Sequence, residues 1–207
     1  MPRAQPPSRS DTGDSTKSAG GSTRDHELSV NFYSEQNGHW GAYIRERGAT
    51  HGTIHHVRSD TQRDQDKFFY DERPMVFQSQ SLYGSSRVAA LSRGEASKAQ
   101  ASIRSYASNS ENIPSVSTQT NCQSFVGGAL GRLEQDRVLK PGHSAYFAQQ
   151  YGRHGKEIGE NLQRDGRHFE LSENQRFTGE PAARFNDKST RPQPKKLNMT
   201  AFGHLSR

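Results

Sequence analysis

The chain has 207 residues and a formal net charge of +6, and only 32 of its residues are Leu, Ile, Val or Phe. So small an apolar share excludes a large hydrophobic core. No run of apolar residues approaches the length of about 20 that a membrane helix requires, so we expect no membrane span. The single cysteine, Cys122, leaves no partner for an intramolecular disulfide.

The apolar residues are concentrated in the middle of the chain. Residues 1–24 contain no Leu, Ile, Val or Phe, and residues 186–207 contain only Leu197, Phe202 and Leu205. The composition therefore predicts a disordered tail over residues 1–25, one folded domain over residues 26–172 and a disordered basic tail over residues 173–207.

The excess positive charge lies in the two ends of the chain. Residues 1–24 carry four basic and two acidic side chains, and residues 186–207 carry five and one, which leaves 19 of each sign between them. The folded part therefore gives no strong signal for nucleic-acid binding, although the basic ends leave weak polyanion binding open. The N-terminus lacks the apolar run of a signal peptide, so we expect a cytoplasmic protein.

The first half of the chain has the pattern of an antiparallel meander. Leu28, Val30 and Phe32 alternate with polar residues, and the Asn37-Gly38 pair that follows favours a tight turn. The same kind of pattern predicts five strand segments, near residues 28–33, 40–45, 53–57, 67–77 and 87–91. The fourth segment reads as one long bent strand or as a hairpin.

The second half of the chain has helical patterns. Residues 95–107 and 121–137 predict two main helices, and weaker patterns cover residues 143–151 and 155–163. Together the two halves predict an α+β domain, in which an antiparallel sheet of about four to six strands packs against the helix that begins near Cys122.

Cys122 lies in the first turn of the second main helix. The partial positive charge of a helix N-terminus predicts a lowered thiol pKa, and the N–H of Cys122 is a candidate donor to an oxyanion. Thr120 or Asn121 would cap the helix. Gly127-Gly128 indicates that the helix lies unusually close to a sheet. The competing interpretation is that Cys122 is a small buried apolar residue.

Three histidines lie on neighbouring predicted strands. His39 opens the second strand, and His55 and His56 lie on the third. Because side chains alternate across a strand, only one of His55 and His56 shares a face with His39. We prefer His55, but periodicity leaves both open. Zinc bound by His55, His56 and Cys122 is a weak alternative without recognisable ligand spacing, so no metal or cofactor is predicted.

These segments resemble the permuted papain-like cysteine hydrolases, especially those of the lecithin retinol acyltransferase type. The matching stretches are His39-Trp40-Gly41-Ala42-Tyr43-Ile44, Gly52-Thr53-Ile54-His55 and Asn121-Cys122-Gln123-Ser124-Phe125-Val126. The sequence is also similar to uncharacterised fungal proteins of this type. The resemblance implies a permuted papain-like fold with His39 as general base, His55 as its orienting partner and Cys122 as nucleophile. Two departures are a longer loop between the second and third strands and the extra His56.

The constellation and the resemblance predict a thiol-dependent hydrolase or acyltransferase. Its substrate would be a peptide, amide or ester whose acyl group passes through a thioester on Cys122. The alternative is a non-catalytic binding module that keeps the papain-like fold. A third possibility is polyanion binding through the basic tails. The oligomeric state stays open.

Overall fold

The computed structural model describes residues 23–34, 38–60, 64–115 and 120–178. Most of the two predicted tails lies outside these ranges, as does Asn37 of the predicted turn. The elements are β1 (His26–Tyr33), β2 (His39–Glu46), β3 (His51–Asp60), β4 (Asp64–Val76), β5 (Leu82–Leu91), α1 (Arg93–Ser108), a 3-10 turn (Ser110–Asn112), α2 (Cys122–Gln135), α3 (His143–Ala148), α4 (Gly155–Arg164), β6 (Glu170–Leu171) and α5 (Glu173–Thr178).

The strands form one antiparallel sheet of six strands in the order β4-β3-β2-β1-β5-β6. The predicted α+β class is therefore confirmed. Residues 64–76 form one long strand, which decides between the two interpretations of this segment. The third and fourth strands are both longer than the segments predicted near residues 53–57 and 67–77, because β3 extends to Asp60 and β4 begins at Asp64.

β1 lies in the interior of the sheet and is buried on both faces. Its apolar residues Leu28, Val30 and Phe32 enter the main core. On the other face Asn31 Oδ1 accepts hydrogen bonds from Ser29 Oγ at 3.0 Å and from Ser85 Oγ at 2.8 Å. The alternating pattern predicts a half-buried strand, whereas β1 is buried on both sides because its polar face satisfies its own hydrogen bonds.

The helices cover one face of the sheet and make the main core. α2 contributes its apolar stripe to this core, namely Phe125, Val126, Ala129, Leu130 and Leu133. The opposite face carries a smaller apolar cluster, formed by Tyr33, Tyr43, Ile54, Phe77 and Leu82. Within the described residues no helix is long and apolar enough to cross a membrane.

The two glycines of α2 leave room for tyrosines. A Cβ atom on Gly127 would collide with the hydroxyl of Tyr151, and one on Gly128 with the hydroxyl of Tyr106. Tyr106 belongs to α1 and Tyr151 follows α3. The expectation that these glycines bring α2 close to the sheet is thus corrected, since the nearest atoms belong to helix and loop side chains.

Candidate active site

Cys122 is the first residue of α2 and lies against the start of β2. Asn121 caps the helix, because its side-chain oxygen accepts from the N–H groups of Gln123 at 2.9 Å and Ser124 at 3.3 Å. The thiol of Cys122 donates to the carbonyl oxygen of Gly38 at 3.8 Å. The N–H of Trp40 is also directed at the sulfur. The sulfur therefore contacts both peptide groups that flank His39.

The start of β2 is accessible to α2 because the sheet opens there. β2 pairs with β3 only where Ala42–Ile44 face Thr53–His55. By contrast, β3 pairs with β4 along its whole length. Residues 38–41 consequently make no ladder with β3, and polar backbone groups in this stretch require other partners. The Cys122 thiol is one of these partners.

A chain of three side chains leads away from the start of β2. The Nε2 atom of His39 lies 2.8 Å from Nδ1 of His56. The Nε2 atom of His56 lies 3.1 Å from Oδ2 of Asp71. The three residues come from β2, β3 and β4, so the neighbouring strands at this edge of the sheet position the whole chain.

The structure corrects the preference for His55 as the partner of His39. The register pairs Ala42 with His55, so His55 shares the face of Trp40 and Ala42, while His39 shares its face with His56. A shift of one residue in the β2–β3 connection would exchange the two histidines. The duplicated histidine at position 56, and not the residue that matches the resembling motif, lies beside His39.

The hydrogen bonds determine which nitrogen of His39 keeps a lone pair. An ionised Asp71 accepts only, so Nε2 of His56 carries the proton and donates to it. In neutral His56 the other nitrogen, Nδ1, then accepts from Nε2–H of His39. The Nδ1 atom of His39 is thereby left with a lone pair. In this tautomer His39 is able to take a proton.

Burial controls the proton affinities at this site. It lowers the pKa of His39 to about 4, and the nearby charges of His56 and Arg73 act in the same direction. Burial also lowers the pKa of His56, although Asp71 opposes that shift. At neutral pH both rings are therefore uncharged.

The thiol has a raised pKa, contrary to the sequence-based expectation. Burial raises the pKa of Cys122 and outweighs the backbone N–H groups of Trp40, Cys122 and Gln123, which favour the thiolate. Asn121 already accepts hydrogen bonds from two of the first N–H groups of the helix, which weakens the effect of the helix N-terminus. At neutral pH Cys122 is thus a thiol and His39 is a neutral imidazole.

Gln123 joins the three segments around Cys122. Its side-chain nitrogen donates to the carbonyl of Gly38 at 3.0 Å, and its side-chain oxygen accepts from the N–H of Gly152 at 2.7 Å. Gly38 has φ +51°, and a Cβ atom there would lie 2.5 Å from the Gln123 side-chain nitrogen. The Gly38 carbonyl therefore receives both the Gln123 amide and the Cys122 thiol.

His55 belongs to a separate buried cluster on the helix-covered face. Its Nδ1 atom lies 2.7 Å from the hydroxyl of Tyr70, which donates to Glu72 at 3.1 Å. Arg104 of α1 binds Glu72 through two contacts of 2.7 and 2.5 Å. Burial is the main reason that the pKa of His55 falls to about 4. This cluster ties β3 and β4 to α1.

The predicted zinc alternative finds no support in the geometry. His55 and His56 lie on opposite faces of β3. Over the ranges that the structure describes, no group of three or more His, Cys, Asp or Glu side chains is arranged to hold a metal ion.

Asp71 is the site residue that the sequence analysis missed. It lies in a charged stretch that resembles a turn, and it meets His56 only through the pairing of His56 with Asp71 in the β3–β4 register. The only local signal is its place in a strand-like run next to Tyr70.

Compared with models of known protein families, with curated proteins and with solved structures, the chain has no match.

Proposed function

We propose that the chain is a permuted papain-like cysteine enzyme that transfers acyl groups from amides, peptides or esters through a thioester on Cys122. The observation that carries this proposal is the Asp71–His56–His39 chain, which ends where the Cys122 sulfur contacts both peptide groups beside His39. A nucleophile next to a base, which is itself oriented by a third group, is the recurring arrangement of such enzymes.

His39 would act as a general base during the attack. With a neutral imidazole and a protonated thiol, the S–H bond breaks as the sulfur forms its bond to the substrate carbonyl carbon. The proton moves to Nδ1 of His39. The imidazolium is then stabilised through His56 and the carboxylate of Asp71. Collapse of the tetrahedral intermediate breaks the bond to the leaving group, which takes the proton from His39.

Water or another acceptor would then resolve the thioester. His39 takes a proton from the acceptor, whose oxygen or nitrogen bonds to the acyl carbon as the carbon–sulfur bond breaks. The proton returns to the sulfur, and the free thiol is restored. The N–H of Cys122 is the first amide of α2 and is not bonded to the Asn121 cap, so it is our candidate donor to the oxyanion.

The direct test is acylation of the full chain by p-nitrophenyl acetate. We expect a burst of about one p-nitrophenolate per chain, and mass spectrometry of the trapped product should place the acetyl group on Cys122. The Cys122→Ala variant should lose the burst, while its circular dichroism spectrum stays unchanged. A burst of equal size in that variant, or acetylation confined to lysines, would refute the proposed nucleophile.

A binding module is the second candidate, and the state of the thiol favours it. Cys122 donates to the Gly38 carbonyl, and burial raises its pKa, as in a structural cysteine. In that case His39, His56 and Asp71 would hold the strands together. Iodoacetamide separates the two functions, because alkylation of a structural thiol should follow its own ionisation and be unchanged in His39→Ala.

A further inference from the structure

A cleft of about 350 Å³ lies on the sheet face that the helices leave uncovered. The rings of His39 and His56 contribute to its wall, together with Arg58 of β3 and Arg73 of β4. Met75 of β4 supplies apolar surface beside them. Its volume is within the range of small-molecule sites. We call it the arginine cleft.

The arginine cleft has more positive than negative charge among its described side chains. Oδ2 of Asp71 lies 3.1 Å from Nε of Arg58 and 3.5 Å from Nε of Arg73. The same oxygen accepts from His56. Two guanidinium groups therefore share one carboxylate, and the two histidines are neutral.

Both arginines keep solvent-accessible surface while they contact Asp71. The side chain of Arg58 is 49% exposed and that of Arg73 is 48% exposed. The guanidinium of Arg58 also lies over the ring of Phe69, 4.8 Å from its centroid, which restricts its position. A planar guanidinium with several N–H donors is suited to bind a carboxylate in a defined orientation.

The charge balance favours a ligand group with one negative charge. Two guanidinium groups and Asp71 leave a net charge of +1, which one carboxylate neutralises. A phosphate monoester carries nearly two negative charges at neutral pH and would leave the cleft negative. Met75 is only partly buried and provides an apolar surface next to the arginines, which suits an apolar side chain beside the carboxylate.

We propose that the arginine cleft binds the carboxylate of an N-acyl amino acid or of a peptide C-terminus through the exposed sides of Arg58 and Arg73. Because His39 lines this cleft and its flanking peptide groups contact the Cys122 sulfur, a ligand bound there lies next to the residue that we propose as the general base. Its role as a substrate rests on the proposed function, whereas its binding needs no reaction at Cys122.

The test is an NMR titration of the full chain at neutral pH, observed through the imidazole signals of His39 and His56. N-acetyl-leucine should shift both signals in a saturable way. N-acetyl-leucinamide, which has the same side chain without the carboxylate, should leave them in place. The Arg73→Gln and Arg58→Gln variants should each bind about tenfold more weakly, as expected for one charge-assisted hydrogen bond at a half-exposed site.

Two controls make the outcome specific. Arg47→Gln changes an exposed arginine in the β2–β3 turn and should bind like the unchanged protein, and Cys122→Ala should do the same. Equal affinities for N-acetyl-leucine and N-acetyl-leucinamide would refute the proposed carboxylate site. Inorganic phosphate that binds as tightly as N-acetyl-leucine would also refute it. Binding of the carboxylate without acylation of Cys122 would support the proposed binding site and refute the proposed enzymatic function. Acylation of Cys122 without a preference for the carboxylate would support the enzymatic function and refute the binding site.

Discussion

His55 and His56 are neighbours in the chain, yet their side chains lie on opposite faces of the sheet and have different hydrogen-bond partners. Both are buried, with 0% and 4% of their surface exposed. His55 faces α1 and α2, where Tyr70, Glu72 and Arg104 form a closed ion-pair cluster. His56 faces the arginine cleft and connects Asp71 to His39.

Burial does not distinguish the two histidines. Burial lowers the pKa of both side chains. The two histidines differ in where their series of hydrogen bonds ends. The hydrogen bonds from His55 lead to the Arg104–Glu72 pair, and Nε2 of His55 has no hydrogen-bond partner among the described atoms. The chain from His56 ends at His39, which is only partly buried and lies at the start of β2 beside Cys122.

Among the substitutions on the cleft face, removal of His39 should have the largest effect on the rate of Cys122 acylation. We expect His39→Ala to slow acylation of Cys122 by p-nitrophenyl acetate by about 100-fold or more, because general-base assistance is lost. The rate is measured from p-nitrophenolate release. His51→Ala, which removes an exposed histidine at the start of β3, should keep the rate. A loss of less than threefold in His39→Ala would contradict the assigned role.

A matched pair of substitutions tests the contrast between the two adjacent histidines. We expect His56→Leu to slow acylation about tenfold, since His39 loses the group that orients its ring, and His55→Leu to leave the rate unchanged. His56→Gln should recover much of the rate, because a glutamine accepts from His39 and donates to Asp71. Equal effects of His55→Leu and His56→Leu would remove the functional distinction between the faces.

Gly38 should be sensitive to substitution because it joins β2 to Gln123 and Cys122. Gly38→Ala combines a positive φ with a Cβ 2.5 Å from the Gln123 side chain, whereas Gly48→Ala combines a positive φ with open space. We expect Gly38→Ala to lower the free energy of unfolding in urea by about 2 kcal/mol, and Gly48→Ala by about 1 kcal/mol. Equal losses would show that the contact with Gln123 contributes little.

Acid sensitivity is the smallest effect that we expect, and His55 on the helix-covered face should contribute to it. The pKa of His55 is about 4 in the folded chain and about 6.5 when unfolded. Between these values only the unfolded chain binds the proton, so stability that is present above pH 6.5 is lost as the pH falls toward 4. One histidine contributes at most about 1.4 kcal/mol per pH unit in this window.

Urea unfolding of His55→Leu at pH 6.5 and 5.5 measures that contribution. We expect the variant to lose about 1 kcal/mol less stability than the unchanged protein over this interval. His51→Leu is the control, because its histidine is exposed. An unchanged pH dependence in His55→Leu would mean that the pKa of His55 is the same in the folded and the unfolded chain.

Much of the fold could be predicted from local patterns. Alternating apolar residues located the strands, and the spacing of Phe125, Val126 and Ala129 located α2 with Cys122 in its first turn. These features depend on residues a few positions apart, so a single sequence contains them. Asn121 was one of two candidate caps for the same reason.

The arrangement of the site was decided by tertiary structure. Whether His55 or His56 faces His39 depends on the β2–β3 register, and Asp71 reaches His56 only through the β3–β4 register. Cys122 was expected to have a lowered pKa because a helix start is visible in the sequence, but the burial that raises it comes from the packing of α2 against β2. Register and burial are set by contacts between distant segments, and local periodicity does not determine them.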